Sequence, residues 1–411
     1  MKDWRKGALH CHSLWSDGRA LPEMILHTYR ELGYNFVCIA DHNVFQSDKQ
    51  IWLPVMPDEG PWPSSLCQAE YERTVSALPG MLEEKSVGFR KYVRLKTFEE
   101  LQQTFDSPNE FALIPGEEVT IIDSDYGENS EKKYHLHINL LNQTATVAPP
   151  TAGSAEALTR QVMAAAQPQA LIMINHPFWQ VWDVPPELLI NMPELKLFEI
   201  CNSGTAAMLD GWIYTQEKFW DFVLAHRLAK GYDVIYGTAS DDAHYYNPER
   251  LYQPCGCNTA WVMVNIPDNL TPENINKALA NGNFYSTCGV LLEDINFDRE
   301  SNTLSVKVLP EDNVDYRIDF IATGKNFDRI IAYADFPAKV EKRNRRRPLI
   351  ADDIGRVVKS VNGTSGSYTM QTDDLYVRAV VYSDAPAKMQ NAFFPKQQCA
   401  WVQPVKNSKW V

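Results

Sequence analysis

The chain has 411 residues, 45% hydrophobic and 22% charged, which excludes a disordered polymer and leaves room for two or three domains or one large barrel with an appendage. Lys+Arg number 39 against 52 Asp+Glu, a net charge of −13 that disfavours a long nucleic-acid duplex or an anionic membrane as partner but leaves open a small anion in a locally positive pocket. No apolar run reaches the roughly 18 residues of a spanning helix, and the first residues carry neither an h-region nor a cleavage site, so a cytoplasmic protein is expected.

In chain order, β-type runs at 7–12, 35–40, 111–118, 134–141, 170–175, 196–201 and 233–239 alternate with helical stretches. The first helix is predicted from Pro22 to Leu32, with Pro in its first turn, an apolar stripe of Ile25, Tyr29 and Leu32, and Gly33 as its stop. Residues 154–166 and 216–230 have the same character, the latter ending at Gly231. Seven strands alternating with helices predict a parallel α/β barrel over residues 1–290. Residues 44–110 break the rhythm with Pro54, Pro57, Pro61, Pro63, Trp52 and Trp62. Helices are expected there at 66–84 and from Thr97 to Phe105, and the segment reads as an insertion at the barrel mouth, a candidate lid. Strand-like runs at 304–309, 316–322, 329–334, 375–382 and 399–405 then predict an antiparallel β-sandwich domain over 291–411. The basic run Lys342 to Arg347 is read as a solvated loop. Eight scattered cysteines make no disulfide framework, and the lone pair Cys255-x-Cys257 reads as packing or loop thiols.

Six of nine histidines fall at or near strand ends: His10 and His12 on one face of the first strand, His42 after the second, His137 on the alternating strand His135–Asn139, His176 before Pro177, and His244 after the strand 233–239. Asp17, Glu117, Glu118 and Asp242 arrive with them. In a parallel barrel the C-terminal strand ends form the active-site face. Neutral imidazole with carboxylate suits Zn²⁺, Mn²⁺ or Fe²⁺, and this many ligands is enough for two or three ions. Each motif alone is a common accident; their conjunction at successive strand ends predicts a polynuclear metal centre. His27, within a helix, and His226, before Gly231, are read as structural, and Cys11 as packing.

The ordered set His10-x-His12, Ser16-Asp17-Gly18, Asp41-His42-Asn43, Gly116-x-Glu118, His137-x-Asn139, Asn175-His176-Pro177 and Asp242-Ala243-His244 resembles the PHP (polymerase and histidinol phosphatase) superfamily of metal-dependent hydrolases over residues 7–290. With Glu199–Asn202, residues 281–289 and a β-rich tail ending in Trp401-Val402-Gln403-Pro404, it looks like the stand-alone members with a C-terminal β domain. The resemblance implies a distorted (β/α)₇ TIM-like barrel, the PHP fold, with three metals. His10, His12, Glu118 and Asp242 would hold the first. Glu118 would bridge to a second held by His137 and His176, and Asp17, His42 and His244 would hold the third. Glu117 competes with Glu118 for the bridge, and His135 with His137; spacing from Gly116 and the following Asn139 favour Glu118 and His137.

The activity so implied is a metal-dependent phosphoesterase acting on a small phosphomonoester or short phosphodiester, with a metal-bridging hydroxide as nucleophile. Three carboxylates against three divalent ions leave a local charge of about +3, an anion trap in an acidic protein. Arg19 is a candidate phosphate contact, and His244 or Asp41 a candidate proton relay to the leaving group. Phe178, Trp179 and Trp182 would form an apolar wall. Hydrolysis of a non-phosphate ester, amide or carbamate, and a non-catalytic metal-binding module, are the competing readings.

Overall fold

The computed structural model describes residues 2–58, 65–125, 133–151, 153–179, 184–204, 215–337, 344–389 and 394–410. Pro61, Trp62, Pro63, Trp182, Lys342 and Arg343 lie outside them. The chain begins with β1 (Trp4–Ala8), α1 (Pro22–Glu31) and β2 (Phe36–Cys38). The insertion holds β3 (Trp52–Met56), β4 (Leu66–Cys67), α2 (Gln68–Ala77), β5 (Glu84–Val87), β6 (Arg90–Arg94) and α3 (Phe98–Phe105). Next come β7 (Ala112–Ile114), β8 (Gly116–Asp125), β9 (Lys133–Leu141), α4 (Ala155–Ala165), β10 (Leu171–Ile174), α5 (Pro186–Asn191), β11 (Leu197–Asn202), α6 (Gln216–Ala229) and β12 (Tyr236–Ser240). They are followed by β13 (Trp261–Asn265), α7 (Pro272–Ala280) and β14 (Phe284–Thr287). The remaining described residues hold β15 (Leu292–Asp298), β16 (Thr303–Val308), β17 (Tyr316–Gly324), β18 (Ala332–Pro337), β19 (Asn344–Leu349), β20 (Arg356–Asn362), β21 (Ser365–Thr369), β22 (Asp374–Pro386), β23 (Gln397–Lys406) and a final 3-10 turn, Ser408–Trp410. Part of the basic run read as a loop is therefore strand β19. Among the described residues no helix is long and apolar enough to cross a membrane.

This mixed α/β architecture departs from the predicted parallel barrel, because no closed sheet forms among the described residues. A nine-stranded sheet runs β20-β17-β22-β23-β14-β13-β1-β2-β7, and a separate five-stranded sheet runs β12-β11-β10-β9-β8. Pairing is parallel for β1–β2, β2–β7, β10–β11 and β11–β12, but β8–β9 and β9–β10 are antiparallel. Two local causes are visible. Pro115 divides the run 111–118 and sends its halves into different sheets; its carbonyl is taken instead by the backbone N–H groups of Asn142 and Gln143, at 2.6 and 3.1 Å. The short path from β8 to β9 leaves no room for the crossover helix a parallel pair needs.

The two sheets face each other across a shared core that includes Phe36, Ile114, Leu141, Met173, Leu197, Val262 and Phe284. Two isolated parallel bridges, Cys11–Ala243 and His42–Glu118, stitch them together at the end where β1, β2 and β12 finish and β8 begins. The three-stranded sheet β15-β16-β21 packs on the other half of the large sheet through Leu304, Val306, Ile318, Phe320, Val377 and Val402.

The insertion is packed against the loops around the mouth. Leu53, Leu66, Tyr71, Val93 and Leu95 cluster with Leu14 and Leu21. Trp15 Nε1 donates to the Lys96 carbonyl at 3.0 Å, and Arg73 Nη1 to the Tyr246 carbonyl at 3.2 Å. Glu23 is sealed in the same joint: neither oxygen has a hydrogen-bond partner, the Lys96 ammonium is 3.8 Å away, and burial pushes the carboxyl up to about 6 from 4.5. The folded chain therefore holds this proton more tightly than the unfolded chain. The stability contributed by Glu23 falls as pH rises through that interval and stays low above it. Glu23→Gln is expected to raise the melting temperature at pH 8 and to give no such gain at pH 4, read by thermal unfolding.

Arg378 of β22 forms a bidentate pair with Asp221 of α6, at 2.7 Å from Nε and 2.6 Å from Nη2, with Tyr376 donating to the same carboxylate at 2.7 Å. Both partners are buried. Arg378→Leu leaves a buried charge uncompensated and is expected to cost about 3–5 kcal/mol in urea unfolding. Adding Asp221→Leu should recover much of that loss.

Candidate metal centre

The strand ends bring the polar residues together as follows. Beyond Ala8 the chain stays extended, so His10 and His12 share one face, while Cys11 points the other way, its Sγ donating to the Cys38 carbonyl at 3.4 Å. The loop to Asp17 is shaped by Gly18, where a Cβ would lie 2.2 Å from the His12 carbonyl oxygen. Asp242 and His176 have φ of 49° and 21°, left-handed values that cost a side chain about 1 kcal/mol or more and re-aim both residues as their strands end.

Glu118 lies at the centre and is fully buried. Its Oε1 is 3.3 Å from His10 Nε2, 3.1 Å from His137 Nδ1 and 3.4 Å from His176 Nε2, and its Oε2 is 2.7 Å from His42 Nδ1 and 3.5 Å from His12 Nε2. Asp242 Oδ1 lies 3.1 Å from His12 Nε2 and 3.3 Å from His10 Nε2. Asp17 Oδ2 lies 2.8 Å from His244 Nε2 and 3.3 Å from His42 Nε2, with its Oδ1 3.5 Å from His12 Nδ1. Three groups have ligand atoms within 4.8 Å of one another: His12, Asp17, His42 and His244; His10, His12 and Glu118; and His42, Glu118 and His137. His12 and His42 thus each stand between two groups, a sharing absent from the ligand sets that the resemblance implies, whereas His176 and Asp242 approach from the side.

The competing residues separate by strand alternation. Glu117 points away from the cluster, its Oε1 accepting from the Val147 N–H at 2.6 Å, and burial lifts it to about 7. His135 sits farther out, its ring 6.1 Å from that of His137 and 5.3 Å from Trp179. Asp41 accepts from Ser13 N–H and Oγ, both at 2.7 Å, from Ser16 Oγ at 2.6 Å and from Gln46 at 2.8 Å. With four donors on one buried carboxylate, Asp41 orders the loop that presents Asp17, and its surroundings do not suit the proton-relay role. Arg19 is half-buried, and its backbone N–H donates to the His244 carbonyl at 2.8 Å. Phe178 is in the core, 4.9 Å from the ring of Phe219, so it is no part of an apolar wall at the site.

Sequence reasoning named Glu199 only as part of a segment. Its buried carboxylate lies 2.9 Å from His10 Nδ1 and accepts from the His176 N–H at 2.8 Å, from Asn202 Nδ2 at 2.7 Å and from the Ser240 hydroxyl. Through these bonds it orients one imidazole and fixes the turn that carries another. Asn175 does the same for Glu118, donating to Oε1 at 2.7 Å. The available signal was a lone carboxylate amid the apolar run Leu197-Phe198-Glu199-Ile200-Cys201.

The electrostatics fit a cation. Burial works against charge on every carboxyl here, yet His42, His10 and His137 hold Glu118 well below the usual carboxylate range, as His10, His12 and His244 hold Asp242 and as His12, His244 and His42 hold Asp17. Burial keeps His12 low and takes His137 down to about 4. His12 Nδ1 and His137 Nε2 are buried without a hydrogen-bond partner, an arrangement that costs free energy unless a cation completes it. The donor set is imidazole and carboxylate, as Zn²⁺, Mn²⁺ or Fe²⁺ would require.

No protein-family model and no curated protein sequence matches the chain. Among solved structures it is similar to a two-domain protein from Bacteroides vulgatus ATCC 8482 named as containing a predicted PHP-like metal-dependent phosphoesterase, at 14% identity and a TM-score of 0.38 over 98% of this chain and 95% of that one. It is also similar to a Bifidobacterium adolescentis protein named as a metal-dependent phosphoesterase, at 14% identity and a TM-score of 0.32 over 60% of this chain and 90% of that one. A third neighbour is an amidohydrolase from Chromobacterium violaceum, at 11% identity and a TM-score of 0.29 over 58% of this chain and 87% of that one.

Against the cost of burial, Glu118 and Asp17 push His42 up to about 10, so a cation entering near neutral pH must displace protons. Affinity for Mn²⁺ or Zn²⁺ is expected to rise from pH 6 to pH 8 with proton release, read by titration calorimetry in buffers of different ionisation enthalpy. Glu118→Gln should lower the bound-metal stoichiometry, and Glu117→Gln should leave it unchanged.

Proposed function

We propose that this chain is a metal-dependent phosphoesterase acting on a small phosphomonoester or short phosphodiester in a trinuclear site. The observation that carries the reading is the convergence of six imidazoles and three carboxylates in one cluster, with His12 Nδ1 and His137 Nε2 buried and unpartnered. His10, His12, Glu118 and Asp242 would hold one ion, Glu118, His137 and His176 a second, and Asp17, His42 and His244 a third, with Zn²⁺, Mn²⁺ or Fe²⁺ as the candidates. When bound, such ions supply a water acidified towards a pKa of about 7 and neutralise charge developing on the phosphoryl oxygens.

The chain's own residues do the rest. Glu199 and Asn175 hold His10, the His176 turn and Glu118 in place, so little reorganisation is needed when substrate arrives. His42 and His244 are the least buried of the ligand residues and mark the open side of the cluster, where a small anion would enter. There Arg19 is the candidate phosphate contact, and His244 the candidate group for moving a proton to the leaving oxygen. The fold would be an opened (β/α)₇ barrel, with the insertion forming part of its mouth and a β-rich domain behind it. Hydrolysis of an ester, amide or carbamate is the second reading, supported by the aromatic ring of Trp179 beside His137 and His176.

A panel of phosphomonoesters, linear and cyclic phosphodiesters, carboxyl esters and aryl carbamates, run on protein loaded with Mn²⁺ or Zn²⁺, separates the readings. Turnover of phosphoesters alone is the expected result; turnover of carbamates or esters alone would replace it with the second reading. Asp242→Asn and His12→Ala should lower kcat/KM at least about 100-fold, and Glu199→Gln about 10–100-fold with the fold intact by circular dichroism. Full metal loading with no turnover of any class would leave a binding module.

A further inference from the structure

We propose that Trp179 is a specificity-determining residue, an aromatic shelf beside the metal cluster that selects substrates with a planar aryl group next to the scissile bond. The inference rests on the hydrolase reading above and names the substrate class within it. It begins with the turn His176-Pro177-Phe178-Trp179, closed by the Trp179 N–H on the His176 carbonyl at 3.0 Å. The turn sends two adjacent aromatic rings in opposite directions. Phe178 is 2% exposed and packs against Phe219, so it anchors the turn in the core. The indole of Trp179 faces the cluster, with its ring centre 5.3 Å from His137, 5.5 Å from His176 and 5.3 Å from His135.

Two features distinguish this ring from ordinary packing. First, Trp179 is only half-buried, although it borders ligands that are themselves buried. Second, the three imidazoles meet it at interplanar angles of 45°, 53° and 68°, and none lies parallel to it. Edge and tilted contacts brace the indole in one orientation without occupying its face in an offset stack. In this proposal a planar group attached to a phosphoryl centre at the cluster stacks on the indole. Selection of this kind acts on binding of the organic half of the substrate, while the anionic half is held by the cluster.

The test uses the metal-loaded full chain and two non-hydrolysable probes, phenylphosphonate and methylphosphonate. Wild-type protein is expected to bind phenylphosphonate about tenfold more tightly, a preference that Trp179→Ala abolishes and Trp179→Phe largely retains, measured by titration calorimetry. The KM for an aryl phosphoester relative to its methyl counterpart should follow the same order. Equal affinity of the wild type for both probes, or an equal weakening of both in Trp179→Ala, would overturn the proposal. If Trp179→Ala is misfolded by circular dichroism, Trp179→Leu keeps the apolar bulk without the ring and carries the same comparison. A retained aryl preference with no turnover of any phosphoester would leave the shelf and overturn the phosphoesterase reading. Turnover without the preference would overturn the shelf alone, and binding of neither probe would overturn both.

Discussion

A fully buried carboxylate surrounded by imidazoles is the constraint around which this molecule is organised. Glu118 has no exposed surface, and an isolated anion there would be prohibitively costly. Five histidines from four chain segments surround it, His10 and His12 sharing one of them. The same feature explains why the two sheets meet where they do. His42 and Glu118 are partners in one of the two bridges that join the sheets, so the residue that gathers the ligands also closes the gap between the layers.

The surroundings serve that arrangement at increasing distance. Glu199 and Asn175 fix rings and carboxylates from behind, and Asp41 gathers the loop of Asp17. Farther out, the insertion presses on the loops that carry Asp17 and His244, through Trp15 on one side and Tyr246 on the other. The mouth is thereby braced by a second small sheet, which matters for chemistry because displacements of about 1 Å among polar groups are enough to lose a productive geometry. The far half of the large sheet is tied to α6 by the Arg378–Asp221 pair, so β22 bears on the helix that precedes β12.

An acidic chain that concentrates neutral and cationic imidazoles around its carboxylates has a field at the site unlike that of its surface. The chain's net charge of −13 speaks to solubility and to non-specific partners. At the cluster the sign is set by whatever fills the space between the lone pairs, and every described ion-pair partner of Glu118 and Asp242 is a histidine. Under the proposed reading such a site would take its charge from its cations, and its substrate preference from larger side chains at its rim, of which Trp179 is one.

The residues of the candidate cluster could be picked out in the linear order, because chemistry restricts ligands to a few residue types and strand ends expose them: His10, His12, Asp17, His42, Glu118, His137, His176, Asp242 and His244 lie near one another in the fold. Helix positions such as Pro22–Glu31 and Gln216–Ala229 followed from local punctuation in the same way. Strand direction did not, since a β-type run looks the same whether its neighbour runs parallel or antiparallel; only the short path from β8 to β9 and the break at Pro115 decided it. The choice of Glu118 over Glu117 rested in the sequence on the spacing from Gly116 alone, and its physical reason is tertiary. Adjacent residues on a strand face opposite sides, and which side is the site depends on the register of β8 against β9 and on the bridge to His42. The supporting role of Glu199 was settled only by the fold, because a single buried carboxylate acquires its meaning from partners brought to it by other strands: His10 from 189 residues away and Ser240 from 41.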